Sequence, residues 1–273
     1  MIYVFVDSIS FIKTRRRTRD TTSGWYHPMP LLSASGEKSD AHSLYGPREN
    51  YPFVSSKVLP NLWDEFYSIY EKRFGTRESM LHGKKVWDIG PAEGLFTLRA
   101  IEYGASRVGI VQPKGIILQR FEKYFADAGS LSKIEIVRGL YPKKKPSFKP
   151  DVILFCGVLY HLDNIEDSLR NLLRLRSIIF LETTIDTNEK SYFNPRRHRD
   201  GYSKNTTVHL NWLIKLITNE SYQIHPTLTY NSLVSRKESF KETFSDRHGT
   251  ASIRRWGAVL IPEQVKDESL NGG

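Results

Sequence analysis

The sequence has 273 residues, enough for one large domain, and 39% of them are hydrophobic, with five tryptophans. This composition excludes an intrinsically disordered chain. The single cysteine, Cys156, excludes an internal disulfide framework and a zinc site built from several cysteines, and it fits a reducing, cytoplasmic compartment. The formal net charge of +10 indicates a polyanionic partner or an acidic substrate, or else only a soluble surface.

The N-terminal part of the chain predicts an irregular extension. Its opening apolar run, MIYVFVDSISFI, is too short to cross a bilayer and lacks the features of a signal peptide. The basic cluster at 13–19 suits either a phosphate backbone or a solvated loop, and residues 21–60 are rich in Ser, Gly and Pro. The spacing of apolar residues then predicts a helix from Asn61 to Phe74. Its broad apolar face must pack against another part of the protein.

The most informative stretch runs from Lys84 to Pro113. An apolar run from Val86 to Ile89 predicts a buried strand, followed by a glycine-bracketed turn and a helix from about Leu95. A second strand is predicted from Arg107 to Val111. The turn reads D-x-G-x-x-x-G and not the G-x-G-x-x-G of dinucleotide-binding units, although a plain Rossmann turn is the alternative.

The charges of this turn favour a cationic ligand. Asp88 ends the strand and Glu93 lies within the turn. S-adenosylmethionine carries an ammonium and a sulfonium where NAD carries two phosphates, so two carboxylates favour the former. Gly90 and Gly94 lack the Cβ atoms that would keep a ligand away from the backbone.

The later sequence predicts a doubly wound α/β fold. Strands and helices alternate along it, which gives a seven-stranded, mostly parallel sheet. The predicted strands are Ile134–Val137, Asp151–Phe155, Ser177–Thr183, Tyr222–Tyr230 and Ala251–Ile261, and the predicted helices are Lys114–Ala128, the segment from Ile165 to Leu173, and Val208–Glu220.

Two segments together resemble class I S-adenosylmethionine-dependent methyltransferases. VWDIGPAEGLFTLRAIEYGASRV is similar to their first motif, and FCGVLYHLDNIEDSLRNL is similar to their fourth-strand motif with its following helix. Within that superfamily, the WYH segment at Gly24–Pro28 and the GVLYH signature at Gly157–His161 resemble the group that contains the tRNA uridine-5-oxyacetic acid synthesising enzyme. The resemblance covers roughly residues 24 to 225.

The resemblance implies an overall organisation for the chain. It implies a Rossmann-like fold whose last two strands form a reversed hairpin at one edge of the sheet. It also implies that the helix at 61–74 lies over the cofactor as a lid, the alternative being a helix packed only on the sheet edge. The predicted units are an extension at 1–80, a methyltransferase domain at 81–265 and a tail at 266–273.

The resemblance and the expected position of ligands at strand carboxyl ends together imply a set of site residues. The first turn would hold the methionine part of S-adenosylmethionine, the next two strand ends the ribose and adenine, and the Gly157 region would face the methyl group. Tyr160 and His161 would border the acceptor, with His161 a base or only a structural hydrogen-bonding group. The cofactor-binding candidates are Asp88, Gly90, Pro91, Glu93, Gly94, Gln112, Gly139, Leu140, Cys156 and Gly157.

Two positions depart from the pattern of the family. Most members end the second strand with an acid that accepts from both ribose hydroxyls, where this chain has Gln112. Relatives usually carry an Asp for the adenine amino group where this chain has Leu140. Both changes remove polar contacts, which raises the alternative of a weak or vestigial binding site.

Several functions therefore stay open at this stage. The main prediction is methyl transfer from S-adenosylmethionine to a small molecule or to RNA, with no metal and no membrane partner. A silent binding module, carboxymethyl transfer to tRNA and a hydride-transferring dehydrogenase are the alternatives. The basic segments 15–19, 143–145 and 196–199 would favour RNA if they lie on one face of the protein.

Overall fold

The structure is a computed structural model that describes residues 58–75, 81–186, 193–197, 204–227 and 253–263. Its helices and strands alternate through most of the chain, as expected for an α/β fold. In chain order they are α1 (Val58–Phe74), β1 (Lys85–Ile89), α2 (Leu95–Glu102), β2 (Arg107–Gln112), α3 (Ile116–Asp127), β3 (Ile134–Arg138), β4 (Val152–Cys156), α4 (Ile165–Leu173), β5 (Ile178–Asp186), β6 (Phe193–Arg197), β7 (Lys204–His209), α5 (Leu210–Asn219), β8 (Tyr222–Pro226) and β9 (Ile253–Pro262), with 3-10 turns at Leu131–Lys133 and Leu159–His161.

All of the described strands belong to one sheet. The first five are parallel and lie in the order β3, β2, β1, β4, β5. Strand β9 pairs antiparallel with β5, and β8 pairs antiparallel with β9. The predicted reversed hairpin at the edge is therefore confirmed, as is the doubly wound, mostly parallel sheet.

Two further strands, β6 and β7, were not predicted and bring the described sheet to nine strands. They form an antiparallel pair, and β7 joins the sheet through Val208 and His209 beside Ile185 and Asp186 of β5. β6 contains Pro195, which lacks a backbone donor and is tolerated at a sheet edge. Because its apolar residues do not alternate, the sequence of β6 gives no strand signal.

The pairing of β5 fixes which side of the sheet β7 occupies. Strand β9 pairs with β5 from Ile179 to Asp186, so it uses one edge of β5 along almost its whole length. On the other edge β4 pairs only as far as Glu182. The final two residues of β5 can therefore pair with β7 only on the β4 edge, beyond the carboxyl end of β4. Strand β7 accordingly packs against the 3-10 turn Leu159–His161.

Two apolar layers cover the two faces of the sheet. Alternate residues of each strand point to opposite faces, as in Val86 and Trp87 of β1, which lie in different core clusters. One cluster contains residues of α1, α2 and α3, and the other contains residues of α4 and α5. On the second face, Pro146 and Phe148 of the loop after β3 cover Gly109 of β2.

Helix α1 packs into the first of these layers. Its Trp63 ring lies 5.7 Å from the Phe96 ring of α2, and its Phe66 ring lies 5.0 Å from Phe180 of β5, measured between ring centroids. The apolar face predicted from the sequence is thus covered by the sheet and by α2. The lid role and the predicted unit boundaries stay predictions, and the segments at 1–57 and 264–273 lie outside the described residues.

One predicted helix boundary is wrong. Val208 and His209 were assigned to a helix, but they end β7, and α5 begins at Leu210. The reason is local, because the His209 ring accepts a hydrogen bond from the backbone N–H of Asn211 and so caps the helix instead of entering it. Within the described residues, no helix is both long and apolar enough to span a membrane.

Candidate functional site

The order of the strands creates a crevice at the carboxyl end of the sheet. After β1 the chain turns to α2 on one face, whereas after the neighbouring β4 it turns to α4 on the other face. The two connections diverge at this point of the strand order, which is where open α/β sheets bind ligands. The glycine turn after β1 and the GVLYH segment after β4 lie at this point.

The glycine turn and the GVLYH segment are in contact. A Cβ atom built on Gly90 would lie 2.6 Å from Cγ2 of Val158, too close for any side chain at Gly90. Gly90 also has a positive φ of 68° and donates its N–H to the Val111 carbonyl at 2.9 Å. The two sequence motifs are therefore packed together through this glycine.

Gly94 serves helix packing. A Cβ atom at this position would lie 2.6 Å from both the Phe121 and the Phe125 rings of α3. Gly94 also begins α2 with a left-handed φ of 95°. The missing Cβ atoms of Gly90 and Gly94 thus make room for protein side chains, and the expectation that they also clear space for a ligand stays a prediction.

Asp88 is buried at the end of β1, with 3% of its surface exposed. Its Oδ2 accepts a hydrogen bond of 2.6 Å from the Thr97 hydroxyl, and the backbone N–H of Thr97 also bonds to the carboxyl group. Burial raises the pKa of Asp88 to about 7, although the bonds from Thr97 oppose the rise. The carboxyl group thereby joins the end of β1 to the first turns of α2.

Glu93 is fully buried in the turn and lies beside α3. Its Oε1 is 3.8 Å from Nη1 of Arg120. The charge of Glu93 is therefore offset by a cation of the protein itself. Glu93 therefore gives no support for a cationic ligand at this turn, and only Asp88 still favours one.

The next two strand ends present a polar and an apolar side chain. Gln112 ends β2 and is half-buried. Its backbone carbonyl accepts a hydrogen bond from the backbone N–H of Gly139 at 3.1 Å. Leu140 follows β3 and is 40% exposed, one of two large apolar side chains exposed in the described part of the chain. The predicted ribose and adenine positions thus lie side by side, as the pairing of β2 with β3 requires.

The fourth strand supplies the candidates beside the methyl group. Cys156 ends β4, half-buried, with its thiol directed to the Phe180 carbonyl at 3.5 Å. Gly157 has a positive φ of 73°, and the chain then forms the 3-10 turn that carries Tyr160 and His161. The rings of these two residues lie 4.3 Å apart between centroids, and His161 is exposed.

The structure brings all the predicted site residues to one edge of the sheet, but it divides them by environment. Asp88, Pro91, Glu93 and Gly94 are buried, whereas Gln112, Gly139, Leu140 and the residues from Cys156 to His161 are at least partly exposed or lie on turns. The roles of these residues in binding and catalysis stay predictions. Among the described residues, no group of three or more His, Cys, Asp or Glu could hold a metal ion.

Several residues at this edge were missed by the sequence analysis. Thr97 holds Asp88, Arg120 faces Glu93, and Val158 fills the space beside Gly90. His209 lies at the carboxyl end of the sheet, in register with Asp186 of β5. The family motifs contain Thr97 and Val158, but only tertiary contacts show their roles.

Comparison with known proteins identifies the fold. No family model matches the chain, and no curated protein matches it. Among solved structures, the N-terminal domain of EvdMO1 with S-adenosylhomocysteine bound is 12% identical, with a TM-score of 0.56 over 83% of this chain and 90% of that chain. A putative S-adenosylmethionine-dependent methyltransferase from Listeria monocytogenes is 11% identical, with a TM-score of 0.52 over 74% of this chain and all of that one.

A third similar structure is an N-methyltransferase. Coclaurine N-methyltransferase bound to N-methylheliamine and S-adenosylhomocysteine is 13% identical, with a TM-score of 0.51 over 84% of this chain and 76% of that one. At these identities the comparisons establish the fold alone. The chain has the class I fold of S-adenosylmethionine-dependent methyltransferases, and the narrower resemblance to the tRNA carboxymethyl-transferring group stays a prediction.

Proposed function

We propose that the protein transfers a methyl group from S-adenosylmethionine to an acceptor bound at the carboxyl edge of its sheet. The observation that carries the proposal is the contact between the glycine turn and the GVLYH segment at the point where the strand order reverses. These are the two segments that resemble the methyltransferase motifs, and they meet where an α/β sheet binds its ligand.

The exposed residues around the crevice fit the parts of S-adenosylmethionine. Leu140 offers an apolar surface to the adenine ring, and Gln112 offers an amide to the ribose hydroxyls. Asp88 lies beneath the turn that would hold the amino-acid end, and its carboxyl group favours a nearby ammonium. Binding of that ammonium would lower the raised pKa of Asp88 and release its proton.

The sheet itself argues against NAD. Dinucleotide-binding sheets have the parallel order 3-2-1-4-5-6, whereas here the strand next to β5 is the antiparallel β9. The turn also lacks the glycine spacing of the dinucleotide fingerprint. Hydride transfer is therefore the weaker reading of this crevice.

The proposed chemistry requires little of the protein. S-adenosylmethionine supplies a methyl group activated by its positive sulfur, and displacement at that carbon needs an aligned nucleophile and a dry site. The residues of this chain would bind and orient the two reactants, with the turns after β1 and β4 fixing their separation. His161 would accept a proton only from an acceptor that still carries one, and Tyr160 would border that acceptor.

Calorimetry of the purified protein with S-adenosylhomocysteine, S-adenosylmethionine and NAD tests this proposal. We expect both S-adenosyl compounds to bind and NAD to bind far more weakly. Asp88→Ala should weaken S-adenosylhomocysteine by roughly 1.5–3 kcal/mol, the range for hydrogen bonds to charged groups. Asp127→Ala, which removes an exposed acid from the end of α3, is the matched control and should leave binding unchanged.

Two other outcomes separate the alternatives. Tight binding of NAD without binding of S-adenosylhomocysteine would overturn the proposal. Binding of S-adenosylmethionine without methylation of any acceptor, in a screen of small molecules and RNA with a radiolabelled methyl group, would instead favour the silent binding module. A Gly90 variant is a poor probe of the site, because any side chain at Gly90 collides with Val158.

A further inference from the structure

A lysine side chain from the loop after β3 lies across the end of that strand. Gly139 follows β3 directly, and a Cβ atom built on it would lie 2.6 Å from Cγ of Lys144 and 3.8 Å from Cδ. Only glycine leaves room for this lysine at that position. The stem of Lys144 is therefore packed against the backbone at the strand end, although the residue as a whole is exposed.

Backbone hydrogen bonds hold Lys144 beside the two positions that depart from the methyltransferase pattern. The N–H of Lys144 donates to the Leu140 carbonyl at 3.0 Å, which folds the loop back over the strand end. The N–H of Gly139 donates to the Gln112 carbonyl at 3.1 Å. These four residues, Gln112, Gly139, Leu140 and Lys144, are thus linked to one another at the ends of β2 and β3 and form the β3-end cluster.

The β3-end cluster offers a ligand more hydrogen-bond donors than acceptors. The backbone carbonyls of Gln112 and Leu140 already accept hydrogen bonds from within the cluster. The Leu140 side chain has no polar atom, and the ammonium group of Lys144 is a donor only. The side-chain amide of Gln112 can both donate and accept. A ligand on this cluster therefore meets an exposed apolar surface beside a positively charged donor.

The ammonium group of Lys144 is not offset by an acid in the part of the chain that the structure describes. Among those residues Lys144 has no ion pair and no side-chain hydrogen bond, and residues 139–150 include no Asp or Glu. Glu122 of α3, which faces the end of β3, pairs with Arg138. The ammonium group lies two bonds beyond Cδ, so it can reach a ligand that rests on Leu140.

This arrangement is the reverse of the one that recognises adenine. The 6-amino group of adenine is a donor, and most relatives meet it with an Asp where this chain has Leu140. A purine with a carbonyl oxygen at C6 instead presents two acceptors, O6 and N7, on the same edge, and lysine is a frequent partner of that pair. The β3-end cluster lacks the side-chain acid that suits adenine and supplies the donor that suits a 6-oxopurine.

We infer that Lys144 binds the purine base of the cofactor as a hydrogen-bond donor, so that the site accepts a 6-oxopurine at least as well as adenine. This inference rests on the proposed function, because it places the base of an S-adenosyl compound on the β3-end cluster. Leu140 lies under the ring, and Lys144 meets its C6 edge. Lys144 is then a residue that determines specificity for the base and takes no part in methyl transfer itself.

Calorimetry of the full chain with a pair of ligands tests the inference. The ligands are S-adenosylhomocysteine and S-inosylhomocysteine, which differ only at the C6 edge, where the second has a carbonyl oxygen in place of the amino group. The test variant is Lys144→Met, which keeps an unbranched stem over Gly139 and lacks the donor. The control is Lys143→Met, which removes the same charge from an exposed position of the same loop.

The measured quantity is the ratio of the two dissociation constants, because a general loss of folded protein affects both ligands alike. We expect the wild type to bind the inosyl compound as tightly as the adenosyl compound or more tightly. Lys144→Met should weaken the inosyl compound roughly tenfold and the adenosyl compound less than about threefold, and Lys143→Met should leave both within about twofold of the wild type.

A second variant, Leu140→Asp, should reverse the preference. Its carboxylate can accept from the 6-amino group of adenine, and it can also pair with the ammonium group of Lys144, so both effects favour the adenosyl compound. The ratio should move toward that compound by roughly tenfold or more. Because Leu140 is exposed, we expect this variant to fold.

The contrary outcomes separate the inference from the proposed function. Failure of both compounds to bind the wild type disproves the proposed function and the inference with it. Binding of the adenosyl compound alone, or a preference of the wild type for it beyond about threefold, overturns only the inference. Equal weakening of the two compounds by Lys144→Met, or the same change of ratio in Lys143→Met, also overturns the inference and leaves methyl transfer in place.

Discussion

The two sides of the proposed site are built in different ways. On the side of the glycine turn, each candidate residue is engaged by the protein itself, since Asp88 is bonded to Thr97 and Gly94 is covered by phenylalanine rings. On the side of the 3-10 turn and the β6–β7 hairpin, His161 is exposed and His209 has a buried ring nitrogen with no hydrogen-bond partner in the described residues. The first side is therefore tied into the core, whereas the second presents His161 to solvent.

The largest effect expected from this difference concerns Gly94. Gly94→Ala would place a Cβ atom against Phe121 and Phe125 in a left-handed conformation, and it should destabilise the protein by about 2–5 kcal/mol. Gly129→Ala is the matched control, because Gly129 also has a positive φ but nothing lies within 4 Å of the new atom. The control should cost about 1–2 kcal/mol in urea unfolding. Equal losses would show that the phenylalanine contacts are unimportant.

The buried carboxyl group of Asp88 should make stability depend on pH. Its pKa rises on folding from an ordinary value of 3.8 to about 7. The folded state therefore holds the proton, and the stabilisation is complete below about pH 4 and is lost as the pH rises through 7. Between pH 5 and pH 8, the wild type should lose about 2–3 kcal/mol more than Asp88→Asn, which has no proton to release.

This comparison of two variants cancels the titration of the other groups. Unfolding free energies at pH 5, 6, 7 and 8 are sufficient to measure it. Parallel pH profiles for the wild type and Asp88→Asn would show that the carboxyl group is ionised in the folded protein at all these values.

Leu140 should affect binding without affecting the fold. Leu140→Ala removes part of an exposed apolar side chain, so stability should stay within about 0.5 kcal/mol of the wild type. Affinity for S-adenosylhomocysteine should fall by roughly 1 kcal/mol if the adenine ring covers this residue. Ile214→Ala on α5 is the control, because Ile214 is the other large exposed apolar side chain and lies away from the strand ends. A similar loss in both variants would remove Leu140 from the site.

Gln112 should give the smallest effect, in the opposite direction. A carboxylate accepts from two ribose hydroxyls with charge assistance, so Gln112→Glu should tighten S-adenosylmethionine by an amount on the order of 1 kcal/mol. If the site is adapted to a carboxylated form of the cofactor, the same variant should weaken that ligand alone. Calorimetry with both compounds separates these results, and no change with either would show that the backbone meets the ribose.

The sequence was sufficient to predict the central strands and the edge at which the candidate residues meet. The apolar run before Gly90 and the one before Gly157 each predict a buried strand, and parallel strands bring their carboxyl ends together. The ends of the strands were less predictable. Strand β5 continues past the predicted end at Thr183 to Asp186, because its last residues pair with β9.

The environment of each candidate could not be predicted in the same way. The spacing of apolar residues predicts which residues are buried, but it does not show which neighbouring residues cover them. The roles of Gly90 and Gly94 depend on Val158 and on two rings of α3, which are distant in the sequence. The hairpin was missed because Pro195 and the surrounding polar residues give no alternating pattern, and its pairing depends on the free edge of β5.

That free edge has a consequence for solubility. Strand β5 is longer than β4, so its residues beyond Glu182 would expose backbone N–H and C=O groups on the β4 side if β7 did not pair with Ile185 and Asp186. Unpaired strand edges act as templates for association with another chain. Removal of the hairpin would therefore expose an unpaired strand edge next to the proposed site, and the shortened protein should self-associate.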